Sequence, residues 1–182
     1  MGKDMILTNA GIQAVLNVSW RNSKNVVKTY IKVSSGLDVD TPERSWCGDF
    51  AYWVLKESGI TPMPPLAQAV PKKEGDKSAG GWNTVSRFGE TYPTFRPGEG
   101  VPQPGDMYYM QYTTIAAKQA GGNGTNHVGF IVEFTPNSPT FKSVDGNSGD
   151  NPAILVKGVG GGYVCYNTRN VSLVDFFIPI PN

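Results

Sequence analysis

The sequence predicts an α+β domain, a single unit over residues 1–182 with a helical part at about 5–60 and a sheet part at about 104–180. Two patterns carry this. Apolar residues in the first third recur at helical spacing, and the last part is a series of short Val-, Ile-, Phe- and Tyr-rich runs separated by Gly, Asn and Pro. Helices first and strands afterwards specify α+β rather than an alternating parallel architecture. A chain of 182 residues is long enough to bury one proper core.

In the helical part, Ile12, Val15 and Leu16 mark a first helix, with Thr8 or Asn9 as its cap. Val26, Val27, Tyr30 and Ile31 mark a second, starting at Ser23 and stopping at Ser35-Gly36. Cys47, Phe50, Ala51, Val54 and Leu55 share one face of a third, with Ser45 as N-cap and Gly59 and Pro62 past its end. Residues 61–104 are rich in Pro, Gly and polar residues and read as loops, with one short helix near Trp82–Phe88. Strands are expected at Asp106–Tyr112, His127–Phe134, Thr140–Val144, Ala153–Lys157, Tyr163–Tyr166 and Val174–Ile178, paired as an antiparallel sheet.

Composition narrows the function classes. A net charge of +1 and the lack of a basic run beyond Lys72-Lys73 argue against a nucleic-acid partner. No stretch reaches the length of a membrane span. Met1–Asn9 lacks the apolar core of a secretory signal, so synthesis and residence in the cytoplasm, or export without a cleaved signal, is expected. Two cysteines, Cys47 and Cys165, make no disulfide framework; both are expected as free thiols, Cys165 buried in its strand.

The chemistry-bearing residues are few. Cys47 falls in the first turn of the third helix, where unpaired N–H groups and the helix dipole favour an anion. Such a position lowers a thiol pKa from about 8.5 to roughly 3.5–7.5 and makes it a usable nucleophile. His127 is the sole histidine, so any Cys–His pair must use it. A third group must accept the other ring N–H, and Asp145 and Asn147 stand at the end of the next strand. Taken singly, Cys47 reads as a core residue, His127 as a polar strand start and Asp145-Gly146-Asn147 as a turn; together, in this order, they read as a catalytic set.

These residues carry a resemblance. Trp46-Cys47-Gly48-Asp49-Phe50-Ala51-Tyr52-Trp53-Val54-Leu55 resembles the nucleophile helix of the CHAP family, the cysteine, histidine-dependent amidohydrolases/peptidases related to NlpC and papain-like enzymes. Val101-Pro102-Gln103-Pro104-Gly105-Asp106-Met107 is similar to that family's Pro-Gly-Asp lead into a central strand, Asn126–Val132 to its His strand, and Val144-Asp145-Gly146-Asn147 to its last motif. The likeness spans roughly residues 28–150. It implies a papain-like fold of the CHAP/NlpC type, with the nucleophile helix packed on an antiparallel sheet. It also implies Cys47 as nucleophile, His127 as general base, and Asn147 or Asp145 as orienting group. The family more often has Glu where Asp145 stands, and the shorter side chain favours Asn147. No upstream glutamine marks an oxyanion hole; Ser45, Arg44 and Tyr30 remain open for it.

The resemblance further implies a peptidoglycan amidase or endopeptidase acting as a monomer, with wall peptide as substrate and no cofactor. Trp46, Trp82 and Tyr108, together with Tyr109 and the Gly121–Gly124 loop, are the expected groove walls. Delivery to the wall or periplasm would be by a holin, as for a phage lysin, or by a secretion machine, as for an antibacterial effector with a cognate immunity protein. The alternatives are a protease or deamidase acting on proteins and a non-catalytic binding module. No metal is expected: Asp38 and Asp40 resemble the Asp-x-Asp calcium segment of some members, but Thr41 replaces the following Gly, and Asp145–Asp150 lacks the closing Glu of an EF-hand.

Overall fold

The structure, a computed structural model, describes residues 2–38, 46–66, 87–111, 126–148 and 162–182. Three helices, α1 (Gly2–Val15), α2 (Lys24–Ser35) and α3 (Cys47–Glu57), precede five strands: β1 (Met107–Gln111), β2 (Asn126–Glu133), β3 (Thr140–Ser148), β4 (Tyr163–Asn170) and β5 (Phe176–Ile178). The strands form one sheet in the order β4-β3-β2-β1-β5, with every pairing antiparallel. The expected strand at 153–157 and the first part of the expected helix at 82–88 lie outside the described residues; residues 87–91 are helical.

Helix α1 starts earlier than the sequence pattern suggests and buries another face. Ile6, Ala10 and Gly11 face inward, while Ile12, Val15 and Leu16 are exposed. Thr8 is inside the helix, its hydroxyl returned to the Asp4 carbonyl at 2.8 Å, and Asn9 donates to Ser58 Oγ at 3.1 Å, so neither is the cap. Gly11 meets the sheet: a Cβ there would sit 2.8 Å from the Tyr166 hydroxyl. Helix α2 follows its pattern, from N-cap Ser23 to a left-handed Gly36 whose N–H returns to Lys32 O.

Helix α3 begins one residue later than a Ser45 cap would set. Trp46 is the N-cap and Cys47 the first helical residue. Its apolar face packs on the sheet with Val128, Phe130 and Val144, and Phe50 rests directly on Gly146, where a Cβ would lie 2.5 Å from that of Phe50. The alternate strand positions build a second core on the opposite face, from Tyr108, Met110, Ile131, Phe141 and Phe177. His127 and Asp145 belong by register to this second face.

The Pro-Gly-Asp segment ties both described ends of the chain to β1. Asp106, 2% exposed, takes Lys3 Nζ at 2.7 Å and the Ile180 N–H at 3.0 Å on Oδ1, and the Gln103 N–H at 2.7 Å on Oδ2. Asp106→Ala leaves a buried N–H and an ammonium without their acceptor, so urea unfolding is expected to show a loss of roughly 2–4 kcal/mol. A midpoint unchanged from wild type would contradict this role.

Candidate active site

The sheet register assembles the site. Met110 pairs with His127, and Tyr108 with Gly129. Phe130 pairs with Val144, which brings Gly129 opposite Asp145 one step on, and Asp145 pairs with Cys165. Laterally paired residues point to the same face, so Tyr108, Gly129, Asp145 and Cys165 form a row across four strands. Gly129 leaves its place in that row empty, and the Asp145 carboxylate fills it. A Cβ at Gly129 would stand 1.7 Å from Asp145 Oδ1 and 2.9 Å from the Tyr108 ring. Across the gap Tyr108 donates its hydroxyl hydrogen to Asp145 Oδ1 at 2.7 Å.

The other carboxylate oxygen is crowded with donors. Asp145 Oδ2 takes Arg169 Nη2 at 2.5 Å and Nε at 3.0 Å, Asn167 Nδ2 at 2.8 Å and Ser143 Oγ at 3.1 Å. His127 Nε2 lies 3.5 Å from the same oxygen, at the edge of hydrogen-bond range. The ring is also hydrogen-bonded to the Cys47 side chain. The structure therefore brings together Cys47 from α3, His127 from β2 and Asp145 from β3. Asn147 is half-buried two residues on, at a register shift in β3, with a left-handed backbone (φ 52°) packed against Gly162.

Electrostatics follow from this packing. Burial pushes the imidazole pKa down, but the hydrogen bonds to Asp145 and Cys47, with their charges, outweigh it and hold the ring up at about 9 rather than 6.5. Burial pushes the Asp145 carboxyl up, yet the His127 hydrogen bond and the Arg169 charge win and hold it at about 2. Burial and the Asp145 charge keep the Tyr108 phenol protonated, well above its ordinary range, so it remains a donor. Burial likewise pushes the half-buried Cys165 thiol up. Cys47 and Cys165 form no disulfide.

Several residues read from the sequence as groove walls stand elsewhere. Trp46 and Tyr108 are both 0% exposed, Trp46 in the helix–sheet core and Tyr108 with its hydroxyl bonded to Asp145. Like Cys47, neither side chain presents exposed surface in this structure. Tyr109 is buried on the opposite sheet face, stacked on Phe176. Trp82, the 121–124 loop, Arg44, Ser45 and Asp40 lie outside the described residues. Asp38 is exposed and paired with Lys32 at 3.1 Å. Among the described residues no three His, Cys, Asp or Glu side chains gather as a metal site, and no helix is long and apolar enough to cross a membrane.

Arg169, Asn167 and Ser143 are site residues that the sequence pattern did not single out. The signal was there in principle: Cys165, Asn167 and Arg169 alternate along β4 and so share one face. The strand was expected only to Tyr166 because residues 167–170 are polar throughout and show no apolar alternation.

A profile of the CHAP domain matches residues 39–147, more than half of the chain, and the chain belongs to the CHAP family. No curated protein matches it. Among solved structures it is similar to the wild type endolysin LysIME-EF1, at 18% identity and a TM-score of 0.40, over 85% of this chain and 63% of that one. The chain thus spans less than two thirds of that endolysin's length.

These pKa values fix how stability depends on pH. His127, raised from 6.5 to about 9, contributes its stability in full below pH 6.5 and loses it as pH climbs through 9. Asp145, lowered from 3.8 to about 2, contributes above pH 3.8 and loses it as pH falls through 2. NMR titration of the single imidazole should show a midpoint near 9, falling clearly in Cys47→Ala, which removes one of the two groups that raise it. A wild-type midpoint at or below 6.5 would contradict the described contacts.

Proposed function

We propose that the chain hydrolyses amide bonds of peptidoglycan peptides by a cysteine–histidine mechanism. The observation that carries the reading is the pairing of the Cys47 side chain with the chain's single imidazole, with a buried carboxylate at 3.5 Å from the ring. Membership of the CHAP family supports the reaction class.

In this reading the proton passes from Cys47 Sγ to His127, and the thiolate attacks the amide carbonyl carbon. The C–N bond then breaks as the imidazolium returns the proton to the leaving amine. Water, deprotonated by the same ring, cleaves the thioester and releases the acid and the thiol. The first N–H groups of α3 face the developing oxyanion. With Nε2 turned to Asp145, Nδ1 serves the thiol, and we assign the orienting role to Asp145 rather than to Asn147. The reach that a shorter side chain lacks is supplied by Gly129, which lets the carboxylate lie over β2.

Cys47 is 0% and His127 8% exposed, so the wall peptide must displace whatever covers the thiol before attack. The gain is a dry site, where charge–charge attraction is stronger than in water. The substrate would be met at the wall or in the periplasm, after delivery through a holin or a secretion machine; an effector role would add an immunity protein as partner.

Mass analysis of purified muropeptides after incubation with the protein is expected to show new fragments. Cys47→Ala and His127→Ala should each lower the rate by roughly 1,000-fold or more. Because the imidazolium protonates the leaving amine, kcat/KM should fall as pH rises through about 9. Identical muropeptide profiles with and without the protein would overturn the reading, and cleavage retained by Cys47→Ala would overturn the thiol mechanism.

A further inference from the structure

We infer that Arg169 is a positioning residue of this site: from β4 it clamps the Asp145 carboxylate in the place from which that carboxylate orients His127. The inference rests on the proposed amide hydrolysis and goes one residue beyond the cysteine, histidine and carboxylate.

The His127–Asp145 contact is weak by itself. At 3.5 Å the ring is the most distant partner of Oδ2, while Arg169 Nη2 is the nearest at 2.5 Å. A carboxylate held only by the ring would turn about its Cβ–Cγ bond to satisfy its other donors. It is instead fixed from both sides. Tyr108 holds Oδ1, and the guanidinium holds Oδ2 through two nitrogens. The guanidinium is braced in turn: Nη2 donates to Ser148 Oγ at 2.6 Å and Nε to the Tyr108 hydroxyl oxygen at 3.0 Å. These bonds lock the plane of the fork, and the fork locks the carboxylate.

The chemistry requires an arginine. Planar donors at fixed angles reach Asp145, Ser148 and Tyr108 together; a lysine ammonium is a point charge on a flexible stem and cannot span all three. Arg169 also stands 3.4 Å from His127 Nε2. A guanidinium has no acceptor, so against an imidazolium this contact is repulsive, and it limits how closely the ring approaches the carboxylate. Among the described residues, the groups facing the ring are Cys47 from α3, Tyr108 from β1, Asp145 from β3 and Arg169 from β4. Arg169 balances the Asp145 charge in a site where an unpaired carboxylate would be protonated by burial.

The test compares Arg169→Lys and Arg169→Met with wild type in three readouts: muropeptide cleavage kinetics, the urea midpoint, and the proton NMR signal of the His127 Nε2–H. That signal is unambiguous because the chain has one imidazole. Wild type should show it far downfield, as for a ring N–H held by a carboxylate. Arg169→Lys should keep a near-native midpoint yet lose or shift the signal upfield, with kcat down about 10- to 100-fold and KM within about twofold. If Arg169 only neutralised charge, Arg169→Lys would retain both the rate and the signal, and the inference would fail. A slower Arg169→Lys with an unmoved signal would also overturn it. Should the arginine variants not fold, Tyr108→Phe and Ser148→Ala each loosen the same clamp. Both should weaken the signal and lower kcat severalfold, and wild-type values in both would overturn the proposal. Absence of cleavage by wild type would fall on the proposed function alone, since the Nε2–H signal reports the clamp without turnover.

Discussion

The structure is organised around one buried carboxylate. Asp145 has no exposed surface and stays ionised, which burial alone forbids. Its charge is tolerated because donors converge on it from β1, β2, β3 and β4: Tyr108, His127, Ser143, and Asn167 with Arg169. Each strand can contribute only if the pairing register is kept. A slip of one residue would turn the donors of that strand to the face packed against the helices and leave the charge buried without them. The site therefore constrains the sheet as much as the sheet positions the site.

The glycines of the two strand motifs follow from the same constraint. Gly129 is bare because the carboxylate occupies the volume of its side chain, and Gly146 is bare because Phe50 of α3 rests on it from the other face. The first places the acid beside the imidazole. The second seats α3 on the sheet and so brings Cys47, at its tip, toward the same imidazole. Side chains at either position would separate the three groups, although neither glycine touches the chemistry.

Much of this was legible in the sequence because much of it is local. Helices α2 and α3 follow apolar spacing, and Cys47 falls in the first turn of α3 as that spacing requires. Strands β1 and β2 fall within a residue of the apolar and aromatic runs that predict them. The misreadings have a common cause, which is burial set by distant partners. In α1 the inward face is Ile6, Ala10 and Gly11, because Tyr166 of β4 needs the glycine; the more apolar Ile12, Val15 and Leu16 are left outside. Asp145-Gly146-Asn147 has the composition of a turn but continues β3, since the donors of four strands hold its acid in the sheet. Tyr108 looks like a surface aromatic and is instead a buried donor. Alternation along β4 gives the face on which Arg169 lies but not its role, because its acceptor lies 24 residues away on another strand.

The arrangement of charge accounts for the use of a single imidazole without further titratable help. In the proposed reaction Asp145 and Arg169 carry opposite charges before attack, and the thiol passes its proton to the ring. Passing that proton from Cys47 to His127 creates a second opposite pair beside the first, with no change in net charge. A buried site accommodates such a transfer far more readily than the appearance of one uncompensated ion. The neutral phenol of Tyr108 adds a hydrogen bond without adding charge. Without Arg169's charge, burial would push the Asp145 carboxyl up and weaken the acceptor that orients the ring. Balanced pairing keeps the imidazolium charged at neutral pH and still able to donate, which is the property that a thiol mechanism asks of its histidine.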